Sequence, residues 1–476
     1  MVALLCSSGR SLILDRPSCR AFAMSPHLLI ARIVLVVLFL FGGASPPRGV
    51  LAVTGVSPCN RSVPAAYLGL TNVLGWGLNS FEQLGGPIGS ASVISTPTPT
   101  LITRDVKITK VSIGYSHVAI LDREAGVAFV SGRSKDGELG LGPSVTRRQG
   151  SFQALPYVVD EDSNEPGGLV RKVIDISAGF RHTCAVLESK SKATGQGVVF
   201  CTGSNARRQL GNAQFDRISF LVAVKHRTST TFASASFAEV HAGADHTVAV
   251  TSVGDVWSWG SNEFGQLGDG SAASVVRSEP GRVLLPAPAI RVCCGHHFCL
   301  ALVRDANSTL YGWGANDDGQ LGASKPVEAR SPVAVLTSVL KFSCGQSHAL
   351  AIRANLQVYS WGDGSVGALG QRPRKNPLAL GRWKLPTPQP IPAFLGVTVQ
   401  AVAAGHKHSV VLDTCGRVYT LGSDVFGQLG LGYTLGASTA YRSAEPVVNV
   451  PLLKRGWPVV DIFAGGLTSF VTTRVP

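Results

Sequence analysis

The sequence predicts an all-β protein, a seven-bladed β-propeller closed by its N-terminal strand, which completes the last blade. Two motifs recurring in phase predict this, and the composition agrees. The first joins Trp-Gly to a polar turn and Gly-Gln-Leu-Gly. "WGSNEFGQLGDG" from Trp259 is echoed by "WGANDDGQLGAS" from Trp313, and the same frame fits "GWGLNSFEQLGG" from Gly75, "SGRSKDGELGLG" from Ser131, "TGSNARRQLGNA" from Thr202, "WGDGSVGALGQR" from Trp361 and "LGSDVFGQLGLG" from Leu421. The second is an apolar strand ending in a small residue and Gly, usually with His three places on; it passes through Gly114, Gly179, Gly243, Gly295, Gly345, Gly405 and Gly465. Seven copies of each mark a repeat architecture with one continuous core. The 54 glycines and 27 prolines supply turns, and 15% charged residues leave little for long solvated helices.

Residues 1–44 are expected to be a signal peptide or a marginal membrane anchor, with a linker over 45–69. The apolar run Ile33 to Phe41 follows Arg32 and precedes Gly42, Gly43 and Ala44, a secretory pattern with cleavage after Ala44. Counted from Met24 it has ordinary signal-peptide proportions; counted from Met1 its basic leader is long. As an anchor it falls short of the roughly 18 apolar residues of a membrane span. Four arginines precede it and Arg48 and Arg61 follow, so the positive-inside bias places the propeller on the non-cytoplasmic side. Glycosylation acceptors at Asn60 ("NRS") and Asn307 ("NST") agree. A mitochondrial presequence is a third reading, from Arg10, Arg16 and Arg20 among serines.

Within 70–476, each His strand is followed by a returning strand such as "GVAFVSG", "GDVWSWG" or "GRVYTLG", so each pair reads as a β-hairpin with Gly, Asn or Asp at its turn. The glycines of "GQLG" suit positive-φ turns, and its Leu can plug the core beneath. A small residue before the central Gly fits the crowded inner strands of blades packed around an axis. Four-stranded blades follow, about 58 residues each over the 407 from Leu70. Closure is read from both ends: "FVTTRVP" follows the seventh His-type strand without a return, and "LTNVLGWG" at Leu70 is a return with nothing before it. Pairing them removes free sheet edges.

The paired motifs resemble the regulator of chromosome condensation repeat over residues 70–476. That resemblance implies a propeller used mainly as a protein-binding platform; the founding member of the family is a nucleotide exchange factor for a small nuclear GTPase and docks on chromatin. Departures are Ser131, Thr202 and Leu421 in the Trp slot, and Phe298 and Thr468 in the His slot. The recurring His117, His182, His246, His348 and His408 read as structural, hydrogen-bonding between blades. In relatives, residues just after the small-Gly pair lie on one face and contact partners. By position these are Tyr115, Phe180, Arg181, Asp245, His296, His297, His406 and Lys407. Plant ultraviolet photoreceptors similar to this family place Trp in such slots; this chain has none there, so photoreception is not expected.

Chemistry-bearing motifs are few. "CCGHHFC" offers Cys293, Cys294, His296, His297 and Cys299 to zinc, but repeat phase assigns the cysteines to strand slots whose side chains point to opposite faces, and no metal is expected. "GDGSVG" from Gly362 matches a dinucleotide fingerprint, yet the repeat frame explains its glycines and no helix follows. Eight cysteines follow Ala44; Cys184 and Cys201, on one hairpin, are the best candidates for a bridge, although the spacing shows no framework and buried free thiols are the expectation. "QRPRKNPLALGRWKLPTPQPIP" from Gln371 reads as an extended basic loop, with Arg372, Arg374, Lys375, Arg382 and Lys384 and no acid. Segments 144–170 and 215–235 read as polar surface loops.

The net charge of +14 favours an anionic partner, an acidic protein among them, or is solubility charge alone. The functional expectation is a non-enzymatic protein–protein interaction scaffold delivered to the secretory pathway, with no catalytic residue, cofactor or metal. Its partner is another protein, membrane contact runs only through the N-terminal segment, and nucleic acid is not expected. The alternative is a guanine nucleotide exchange factor for a small GTPase, which requires cytoplasm or nucleus.

Overall fold

A computed structural model describes residues 51–52, 71–86, 91–100, 106–145, 147–155, 158–159, 171–189, 196–213, 216–272, 276–324, 327–371, 383–432, 442–449, 456 and 458–474. Residues 1–44, expected from the sequence to be a signal peptide or anchor, and Asn60, Arg372, Arg374, Lys375 and Arg382 lie outside them. Seven sheets follow one another along the chain, numbered here as blades from Lys110, and all their pairings are antiparallel except that of the short edge strand Val158–Val159 with Arg217–Ala223 in blade 2. Blade 1 consists of Lys110–Ile113, His117–Asp122, Val127–Arg133 and Arg148–Ala154. Blades 2 to 6 repeat that order from inner strands Val173–Ala178, Phe237–Ala242, Ala289–Cys294, Val339–Cys344 and Val399–Ala404.

Blade 7 closes the ring. Val459–Gly465 and Thr468–Arg474 are joined by Thr71–Leu78, in register from Thr71 opposite Arg474 to Gly77 opposite Thr468. Two N-terminal strands complete this blade, because Val93–Pro99 then pairs with Thr71–Leu78 as the outer strand. Upstream, Leu51–Ala52, in the expected linker, adds a fifth strand to blade 6 opposite Val448 and Val447.

The motifs are explained at the seams between blades. Each conserved-phase histidine sits on the second strand, fully buried, with its Nε2 aimed at the next blade's second strand: His117 reaches Thr183 Oγ1 (2.8 Å), His182 reaches Thr247 Oγ1 (3.0 Å) and His408 reaches Ser469 Oγ (2.9 Å). Each hydroxyl in turn donates to a turn carbonyl of the first blade, Glu138, Gln209 or Gln428. A hydroxyl has one proton, so it must accept from the imidazole, which fixes the Nε2–H tautomer. The Trp of the first motif donates to the same class of carbonyl: Trp259 Nε1 to Gln209 O and Trp76 Nε1 to Gln428 O, each 2.9 Å. Ser131, standing in a Trp slot, does so through its hydroxyl to Gln83 O. The Gly-Gln-Leu-Gly turn therefore presents one carbonyl that ties two strands of the neighbouring blade.

The departures pair off. Where Phe298 replaces His, the facing position of blade 5 is Ala349, and both lie in one apolar cluster. Thr468 in the last His slot donates within its own blade to Gly465 O, and the corresponding slot of blade 1 is Val118. A polar pair is thus exchanged for a pair that leaves no buried donor unmatched. The turn itself is held by side chains: Asn262 Oδ1 accepts from Leu267 N and Gln266 Oε1 from Phe264 N.

Three expectations are corrected. The cysteines are not buried free thiols: Cys184 is bonded to Cys201, Cys294 to Cys299 and Cys293 to Cys344, the last joining the inner strands of blades 4 and 5. Segments 144–170 and 215–235 are not merely loops, since they carry the outer strands Arg148–Ala154 and Arg217–Ala223 and the short helix Thr230–Ser234. Phe232 of that helix is buried against Phe237 and Trp257. Lys384 belongs to no loop; it begins the outer strand Lys384–Pro390, where proline is tolerated because an edge strand leaves alternate N–H groups unpaired.

Candidate protein-binding face

In every blade the connection between first and second strands ends at the same rim of the ring. Around the axis these connections are linked backbone to backbone: Tyr115 N–H to Gly179 O, Phe180 N–H to Gly243 O, His296 N–H to Gln346 O, Gln346 N–H to Gly405 O and His406 N–H to Gly466 O, at 2.8 to 3.3 Å. Glycine is required for this approach, since a Cβ on Gly179 would lie 2.6 Å from Gly243 O. The first side chain after each glycine is consequently held over the mouth of the channel.

Four rings from four blades meet there. Tyr115 stacks on Phe180 with centroids 4.4 Å apart, and His406 lies 5.3 Å from Tyr115. His296 meets Phe180 edge-on at 5.7 Å and stands 6.1 Å from His406. His297 packs on His296 at 4.2 Å. The Arg181 guanidinium lies 5.9 Å from the Phe180 ring centre, and Asp245 accepts from Gln209 Nε2 at 3.3 Å. Seven of the eight sequence-assigned face residues are half-buried; Lys407 is exposed. The structure thus brings all eight to one end of the propeller.

Burial depresses the imidazoles. His406 is lowered to about 4 by desolvation, then by the charges of His296 and Lys407. His297 is lowered to about 4 by desolvation and by His296, and His296 is lowered by desolvation against the pull of Asp245. All three are neutral near pH 7, so the aromatic cluster is an uncharged surface. Beneath it, a channel cavity of about 190 Å³ is lined largely by backbone and by small residues such as Ser112, Ala178 and Ala242.

Sequence reasoning missed part of this surface. Phe264 packs on His297 at 4.6 Å, and Val366, Val425, Phe426 and Leu467 line a second cavity with the aromatic cluster. Phe264, Val366, Val425 and Phe426 are variable places of the polar turn in the first motif, where only an apolar residue in a turn could have signalled them. Lys384 lies at the same end, its Nζ donating to Asp317 O at 2.6 Å, and the neighbouring Trp383 O accepts from Gly364 N. Asn307 is exposed in the turn between second and third strands of blade 4, at the opposite end. The "CCGHHFC" residues do not converge as a metal site of free ligands: His246, Cys294 and Cys299 lie within 4.8 Å of one another, but the two sulfurs are bonded to each other.

Comparison with known proteins agrees with the geometry. The chain is 27% identical over 368 residues to the human E3 ubiquitin-protein ligase HERC2, covering 76% of this chain and 7% of the ligase. It is 30% identical over 272 residues to the ultraviolet-B receptor UVR8 of Arabidopsis thaliana, covering 55% of this chain and 56% of the receptor. Among solved structures, Prp20p of Saccharomyces cerevisiae, studied for binding to Gsp1p and histones, superposes with a TM-score of 0.69 at 20% identity, over 86% of this chain and 93% of Prp20p. Human WBSCR16 superposes with a TM-score of 0.63 at 21% identity, over 85% and 98%. A family model for the RCC1-like domain matches residues 73–471, and with seven blades carrying both motifs in phase, the chain belongs to the RCC1-like domain family.

Proposed function

We propose that this protein is a non-enzymatic interaction platform that binds another protein through the aromatic end of its propeller. The cluster of Tyr115, Phe180, His296 and His406 carries this reading. Such rings offer large contact area with few rotatable bonds, and here they stand on a hydrogen-bonded backbone ring, so little ordering entropy is lost on binding. The small-residue lining of the channel supports a binding role over catalysis. The secretory pathway is the compartment we propose, supported by the disulfides, which persist where the environment is oxidising. Asn307 stands away from the aromatic end, so a glycan there would leave the face open.

Guanine nucleotide exchange on a small GTPase is the second reading, favoured by the shared family fold with Prp20p and its binding to Gsp1p. Affinity capture with the full chain separates the two. Proteins retained by the wild type and lost with Phe180→Glu or His406→Glu, but kept by Asn307→Gln, support the platform. A partner set indifferent to these face variants overturns it, and accelerated nucleotide release from a purified small GTPase establishes the second reading instead.

A further inference from the structure

Beside the aromatic cluster lies a cavity of about 510 Å³, within the usual range of binding pockets. Tyr115, Phe180 and His406 form one side, and Val366, Val425 and Leu467, from blades 5, 6 and 7, form the other. Val425 is 39% exposed at the rim, an apolar side chain that packing within the chain does not cover. Among the described residues no carboxylate lines this cavity, and its imidazoles are neutral near pH 7. Lys407 is therefore its one formal charge. Elsewhere on this end Arg207 pairs with Glu263 at 2.7 Å and Arg133 with Asp136 at 3.0 Å, while Arg181 lies over the Phe180 ring. The exposed Lys407 ammonium makes no ion pair with any described residue, while its carbonyl is fixed by Ser423 N–H.

We propose that this cavity is the anchoring pocket of the platform, taking an apolar side chain of a partner protein that carries a carboxylate next to it, with Lys407 as the carboxylate's counter-charge. The inference rests on the reading of this end as a protein-binding face. An apolar anchor removes Val425 and Phe426 from water together with itself, and the neighbouring acid supplies the charge that the lining lacks. A lining that carries one lysine suits a single carboxylate of a peptide segment better than an anionic lipid surface, which recruits several cations at once.

The test uses the full chain and arrayed synthetic peptides in which Phe, Leu or Ser is followed by Asp, Ser or Lys. Retention of Phe–Asp and Leu–Asp peptides is expected to exceed that of Ser–Asp by about tenfold, and that of Phe–Lys by about fivefold. Lys407→Glu should reverse the charge preference and keep the apolar one; Val425→Asp should abolish retention with an unchanged melting curve. Equal retention of Phe and Ser peptides, or an acid preference that survives Lys407→Glu, overturns the proposal. Self-association of the chain that Val425→Asp abolishes would overturn it in favour of a second copy. If captured partners are lost with Phe180→Glu but kept by both Lys407→Glu and Val425→Asp, the pocket falls and the platform stands.

Discussion

His348 Nε2 lies 2.9 Å from Ser409 Oγ across the seam between blades 5 and 6, and that hydroxyl donates to Ala368 O. The imidazole therefore ends a relay that ties the second strand of one blade to the second strand and turn of two. His348→Ala should destabilise the fold by about 2–4 kcal/mol, combining a cavity with a lost hydrogen bond. Ser409→Ala should cost about 1 kcal/mol, and the double variant less than the sum, as read from denaturant midpoints.

Phe298 and Ala349 occupy the same two slots without polarity. Phe298→His alone should destabilise by about 1–3 kcal/mol, because its buried N–H faces a methyl group. Adding Ala349→Ser restores the partner, and a double-mutant cycle should show a favourable coupling of about 0.5–3 kcal/mol. Zero coupling would mean that the two departures are unrelated.

Acid should weaken the fold. Burial lowers His117 and His348 to about 4 and His182 and His408 to about 3, and neighbouring charges matter less. Each binds a proton more readily when unfolded, so its contribution is complete above about 6.5 and is lost as pH falls from there through about 4 to 3. Burial also raises Asp424 to about 7, which acts oppositely: protonated, it favours the fold at low pH and loses that contribution as pH rises through about 7. Upward-shifted carboxylates are fewer, with Glu138, Asp318 and Asp461 beside Asp424, than the eight downward-shifted imidazoles. The melting temperature should fall steadily from pH 7 to pH 4, and His408→Gln should flatten that profile. A flat or rising profile in the wild type would contradict the burial of these rings in neutral form.

Cysteine pairing has a graded consequence. Removing Cys293–Cys344, with a separation of 51, should cost about 4 kcal/mol, against about 2 kcal/mol for Cys294–Cys299, with a separation of 5, because the longer loop constrains the unfolded chain more. Maleimide labelling under denaturing, non-reducing conditions should leave Cys184, Cys201, Cys293, Cys294, Cys299, Cys344 and the likewise disulfide-bonded Cys415 unmodified.

The inner three strands of each blade were legible because seams dictate their residues: His117, His182, His348 and His408 face a Ser or Thr, His246 faces Cys299, and a Trp takes the turn carbonyl. Outer strands such as Lys384–Pro390 escaped, since a strand packed on one face tolerates proline and polar residues that read as loop. Tyr115 and Phe180 could be placed by their phase after glycine, whereas Val425 and Phe426 could not, because the turn fixes its Asp, Gly and Gln and leaves the positions between them open. For the cysteines, spacing was the wrong guide. Cys184 opposite Cys201 and Cys294 opposite Cys299 are set by strand register, and Cys293 and Cys344 are neighbours across a seam about one repeat apart.

Site-specific photo-crosslinking tests the central claim most directly. A benzophenone side chain is placed at Arg181, on the aromatic end, or at Ser252, in the turn between second and third strands of blade 3 at the opposite end, in the full chain expressed in secretory cells. Protein adducts should form from position 181 and not from 252. Adducts from 252 alone, or equally from both, would contradict the assignment of the aromatic end as the binding face.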